Sequence, residues 1–233
     1  MYRGTGLLFS LLLLLFLGNC TPRIPEKPSS INNDSATSNP IVMIPDFPSE
    51  AAQLDSLLTD KQVESTVIPS PFFKQTTIYR LVRKLPSHPI VYYYSKATTG
   101  KALQLNGSPL KYQSAAKAEQ LHLDNVQDAI AYYKLGFEAT MPKTAYIVSS
   151  LDEFRFFPQL NPQETERREA LTKGYAQQLH PVTGKVIPTG FELELYYILD
   201  RQLWHEQTTL HQDGTWTAVP KMLEDALPVV YIR

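Results

Sequence analysis

Cysteine is almost absent from these 233 residues: Cys20 stands alone. One thiol excludes an internal disulfide framework and any multi-cysteine zinc or iron–sulfur site within a single chain. An excess of charge is missing as well. With 22 Lys+Arg against 23 Asp+Glu the formal net charge is -1, which leaves no electrostatic footprint of nucleic-acid binding. The ten glycines are scattered, so neither G-x-G-x-x-G nor G-x-x-x-x-G-K-[ST] occurs. Thr98-Thr99-Gly100-Lys101 lacks the upstream glycine of a phosphate loop and reads as an ordinary turn. The nucleophile elbow G-x-S-x-G is absent, as is H-E-x-x-H. None of His88, His122, His180, His205 and His211 forms a ligand pair at helical spacing, so no metal and no cofactor is expected.

Long hydrophobic runs are scarce too, and the one present is at the start. Met1-Tyr2-Arg3 carries one positive charge, and Leu7 to Leu17 is apolar apart from Ser10. Its eleven residues match a signal-peptide core and fall short of the roughly 20 that a bilayer-spanning helix needs. The run closes on Leu17-Gly18-Asn19-Cys20. An aliphatic residue three before the cysteine, with small residues between, resembles the lipobox of bacterial lipoprotein signal peptides. Asn19 departs from the usual Gly or Ala at that position. The resemblance covers residues 1–20 only. It implies a diacylglyceryl thioether on Cys20, cleavage before Cys20 and acylation of the new amino terminus. One acyl chain holds a protein marginally, whereas two or three, at about 0.8 kcal/mol per buried methylene, hold it durably. Thr21 follows the cysteine, where Asp would resemble an inner-membrane retention signal. The expectation is therefore an outer-membrane anchor with the domain facing the periplasm.

Thirteen of residues 21–40 are Pro, Ser, Thr or Asn. Such a stretch buries too little to offset its ordering entropy, and is expected to be a flexible stalk of about 25 Å root-mean-square span. Asp34-Ser35-Ala36 and Asp55-Ser56-Leu57 resemble acceptor triplets for O-glycosylation in Bacteroidota. The domain plan is thus signal peptide 1–19, lipidated Cys20 and stalk 20–40, and a globular domain 41–233.

Within that domain Ile41–Ile44 reads as a short buried strand, followed by a helix with Pro48 in its first turn and a stripe of Ala51, Leu54 and Leu58. Residues 76–85 and 90–94 read as strands around the prolines at 86 and 89. A helix is predicted from an Asp124 cap to a Gly136 stop, and another from the box Asn161-Pro162-Gln163-Glu164. Tyr146–Val148 is a predicted strand. Alternation of Phe191, Leu193, Leu195 and Tyr197 with Glu192, Glu194 and Tyr196 marks a half-buried strand. Asp200-Arg201 and Asp213-Gly214 then continue a C-terminal β-meander, with a helical turn near Pro220–Asp225 and a last strand over 229–232. The fold class is α+β, a single domain with a mainly antiparallel sheet covered on one face, three to four helices and that meander.

Two sites are candidates. If Asp200-Arg201 is a two-residue turn, Tyr196 opposes His205 and Glu194 lies diagonally beside it, a carboxylate–His pair suited to acid–base chemistry. The commoner use of such a face is solvated, charge-compensated surface. Aromatics are abundant, with 13 Tyr, 10 Phe and 2 Trp, and they run in strand-like clusters such as Tyr92-Tyr93-Tyr94 and Tyr196-Tyr197. Rings on the outward face would line a groove for a glycan, peptide or protein partner, with Tyr196, Trp204 and Trp216 as its expected wall. The preferred expectation is a lipid-anchored envelope protein with a non-catalytic binding domain. The alternative is an envelope hydrolase or lyase using Glu194 and His205.

Overall fold

Hydroxyl and amide side chains start three of the helices. Ser49 accepts from the Ala52 amide at 3.2 Å and opens α1 (Glu50–Thr59). Asn125 accepts from the Asp128 amide and opens α3 (Val126–Thr140). Asn161 and Glu164 cap each other's backbone reciprocally at the start of α4 (Pro162–Tyr175), the box read from sequence. A fourth helix, α2 (Pro109–Ala118), follows Ser108, with proline in its first turn. The structure, a computed structural model, describes residues 48–230. The signal peptide, Cys20, the stalk with Ser35, and the expected strand at Ile41–Ile44 lie outside the described residues.

The first sheet has order β1-β2-β3-β4, all antiparallel, from β1 (Val63–Ile68), β2 (Thr76–Arg83), β3 (Ile90–Ala97) and β4 (Ala102–Gln104). The second is built around β7 (Gly190–Leu199). β8 (Gln202–His211) pairs along one edge of β7 and carries β9 (Trp216–Glu224) beyond it. The other edge of β7 is shared by β6 (Thr183–Ile187) and β5 (Tyr146–Val148).

The fold is a single α+β domain with four helices and two mainly antiparallel sheets among the described residues. The expectation of one sheet covered on one face is corrected, because both sheets pack on both faces. Strand alternation sends Tyr92 and Tyr94 toward α1, where Leu54 and Leu81 are fully buried. It sends Tyr93 the other way, into the main core with Ile78 and Leu105. That core takes Tyr112 from α2 and Tyr132, Tyr133 and Phe137 from α3, and continues into Phe191, Leu193, Leu195 and Tyr197 of β7. On the far face of the second sheet Tyr196, Ile198 and Leu203 pack with Leu171 of α4, Phe154 and Val229. The layers therefore run α1, first sheet, α2 with α3, second sheet, α4.

Several local expectations are corrected. Gly136 does not stop α3, which continues to Thr140. The glycine is needed inside the helix because a Cβ there would lie 2.9 Å from Tyr112 Cε1. The cap of α3 is Asn125, one residue later than expected. Pro220 lies in β9 and not in a helical turn; β9 is an edge strand, where a missing N–H costs no ladder bond. Val229 makes only an isolated bridge to Phe156, and residues 231–233 lie outside the described set. No helix among the described residues is long and apolar enough to cross a membrane.

Candidate functional site

The Asp200-Arg201 link is a tight turn with positive φ at both residues, 49° and 65°, the geometry whose twist suits a two-residue hairpin. It fixes the register of β7 on β8, which sets Tyr196 opposite His205 and Glu194 opposite Gln207. On this far face His205 Nε2 meets Glu194 Oε1 at 2.8 Å. His180, from the segment between α4 and β6, brings its own Nε2 to 3.8 Å from the same oxygen. The Tyr196 ring lies between the imidazoles. It stacks on His205 at 4.8 Å between centroids and takes the edge of His180 at 5.2 Å. Burial, with the Glu194 charge adding to it, raises the Tyr196 phenol above its ordinary value and keeps it neutral.

Chemically this is an imidazole held and oriented by a carboxylate, half of an acid–base machine. Its other half is not beside it: no serine or threonine hydroxyl among the described residues hydrogen-bonds His205 or His180. Nor do three His, Asp or Glu side chains converge as a metal site among those residues.

The three aromatic residues expected to form one wall do not share a face. Tyr196 is in the far-face core against α4. Trp204, one residue from His205, points the opposite way and lies nearly parallel to Tyr197 at 6.3 Å, with its buried Nε1 lacking a protein acceptor. Trp216 packs edge-on against Tyr112, Tyr132 and Tyr133 in the main core. Among the described residues these rings pack on the two cores, Tyr196 on the α4 side and both tryptophans on the α3 side.

No family model matches this chain, and no curated protein or solved structure is significantly similar to it.

A groove does exist elsewhere. Tyr92 and Tyr94 of β3, on the α1 side of the first sheet, line an open depression of about 390 Å³ with Gln53, Ser56 and Leu57 of α1 and Gln104 of β4. The Tyr94 hydroxyl reaches toward Gln53 Oε1 at 3.5 Å. Its lining carries no charged side chain. The sequence signal was the Tyr92-Tyr93-Tyr94 triplet, which says that rings alternate between faces but not which face stays open.

Proposed function

We propose that this protein is a lipid-anchored component of the bacterial cell envelope whose α+β domain binds a glycan and catalyses nothing. The observation that carries the binding half is the Tyr92–Tyr94 groove. The partly exposed Tyr92 ring, flanked by the neutral donors and acceptors of Gln53, Ser56 and Gln104 and backed by the buried Tyr94, suits a ligand with an apolar ring face and many hydroxyls. The anchoring half is supported by sequence, since the only cysteine closes the only long apolar run. The lipid chains and the membrane are then its fixed partners, and the groove meets its ligand at the envelope.

Two measurements test this reading. Cys20→Ser should move the protein from the membrane to the soluble fraction without altering its thermal midpoint; continued sedimentation with membranes defeats the anchor. Titration of the protein with oligosaccharides released from the producing cell's envelope should show binding that Tyr92→Ala abolishes. Equal binding by Tyr92→Ala defeats the groove.

A second reading rests on the 2.8 Å contact between Glu194 and His205, which would serve an envelope hydrolase or lyase. It ranks below the first because no nucleophile touches the imidazole among the described residues. Turnover abolished by His205→Ala at unchanged thermal stability would reverse that order.

A further inference from the structure

The opposite face of β3 borders a second and chemically different cavity. It occupies about 290 Å³ between β2, β3, the C-terminal end of α3 and the loop that leads to β5. That is roughly the volume of ten liquid waters. Arg80 of β2 and Lys143 of the loop are its two cations, and Glu138 of α3 is its one carboxylate. Val91, Met141 and Pro142 supply apolar wall.

The carboxylate is already engaged. Tyr93 donates its hydroxyl to Glu138 Oε1 at 2.6 Å, and Arg80 lies beside the same hydroxyl. Asn106, also on the lining, is spent on the backbone: its Oδ1 accepts from the Tyr93 amide and its Nδ2 donates to Val91 O. Lys143 uses one of its three donors on Pro89 O at 3.0 Å. Neither Arg80 nor Lys143 forms an ion pair with a carboxylate among the described residues. The cavity thus holds two cations against one committed carboxylate, with unspent N–H donors and an apolar wall.

We propose that this cavity binds a small organic monoanion, a carboxylate with a short apolar body. The carboxylate accepts from Arg80 and Lys143, and the body packs on Val91, Met141 and Pro142. A planar guanidinium presents the paired donors that a carboxylate accepts. One negative charge balances the excess of one positive charge. A dianion such as phosphate would bring a second negative charge beside Glu138 with nothing to match it. This ligand differs from the neutral one assigned to the Tyr92–Tyr94 groove, and the two sites are separated by the sheet.

The test is titration of the full chain, in detergent at low ionic strength, with 4-methylpentanoate, its neutral analogue 4-methylpentanamide, and inorganic phosphate. The carboxylate should bind, and both the amide and phosphate should bind at least about tenfold more weakly. Lys143→Gln, at an exposed loop position, should weaken the carboxylate about tenfold, with the fold verified by its thermal midpoint. Arg80→Gln should weaken it further, and Lys185→Gln on β6 should leave it unchanged. Tyr92→Ala should also leave it unchanged, which keeps failure of this site distinct from failure of the groove. Equal affinity for the amide, tighter binding of phosphate, an unaffected Lys143→Gln protein, or no carboxylate binding would each overturn the proposal.

Discussion

Tyr112 of α2 lies against Gly136 of α3 with no room for a side chain between them. A Cβ on the glycine would sit 2.9 Å from Tyr112 Cε1 and 3.3 Å from the Trp216 ring. Elsewhere in a helix, replacing Gly by Ala gains about 1 kcal/mol. Here the ring cannot yield, because Tyr112 is fully buried and wedged among Phe73, Tyr132 and Trp216. Overpacking of this kind costs about 1–3 kcal/mol. Gly136→Ala should therefore lower the thermal midpoint by a few degrees, and a raised midpoint would show that the two helices can part without loss.

Glu206 is a second constraint on the main core. It points inward from β8 at 5% exposure, and its carboxylate accepts from the Tyr133 hydroxyl and, at 2.9 Å, from Thr208. Among the described residues no cation pairs with it, so hydroxyl donors replace its lost water. Tyr133→Phe should cost about 1–3 kcal/mol by leaving a buried acceptor under-satisfied. Adding Glu206→Leu to Tyr133→Phe should cost less than the sum of the two single changes, since the second removes the group the first stranded. Chemical denaturation of the four proteins measures this coupling, and strict additivity would contradict it.

The same buried phenols set the behaviour in alkali. Burial, reinforced by the Glu206 charge, pushes Tyr197 from 10.0 up to about 12, and burial also raises Tyr132 and Tyr133 well above the ordinary range. A group whose folded pKa is raised keeps its full contribution below the unfolded value and loses it as pH climbs through the folded one. Stability should hold to about pH 10 and then fall, each such phenol subtracting about 1.4 kcal/mol per pH unit. For Tyr197 the window is pH 10 to 12. Denaturation midpoints recorded between pH 9 and 11.5 should fall less steeply in Tyr197→Phe than in the parent, and identical slopes would place the alkaline loss elsewhere.

Much of this architecture is local and was legible for that reason. The reciprocal cap of Asn161 with Glu164, the Asp200-Arg201 turn and the β7–β8 register follow from neighbours in sequence, so Glu194 beside His205 could be anticipated. His180 could not, because a loop and β6 separate it from the hairpin it joins. The aromatic wall failed for a different reason. Alternation puts Tyr196 and Trp204 on opposite faces of the sheet, but it cannot say that both faces are covered, one by α3 and one by α4. The Arg80–Tyr93–Glu138–Lys143 cavity draws on two strands, a helix and a loop, and no spacing along the chain foreshadows it.

The pair at Glu194 and His205 can be tested cleanly because it contributes little to the fold. Glu194 keeps 40% of its side chain exposed and His205 20%, and contacts of that kind are worth roughly 0–1 kcal/mol. Tyr196, between the imidazoles, is 8% exposed and belongs to the far-face core, where truncation of a large aromatic costs about 3–5 kcal/mol. Glu194→Gln and His205→Ala should therefore leave the thermal midpoint within a few degrees of the parent, whereas Tyr196→Ala should lower it by many. The first two variants then separate chemistry from folding. Under the binding reading they retain full oligosaccharide affinity, because both lie on the second sheet, away from the Tyr92–Tyr94 groove. If either lost that affinity while keeping its midpoint, the ligand would have to be sought on the His205 face.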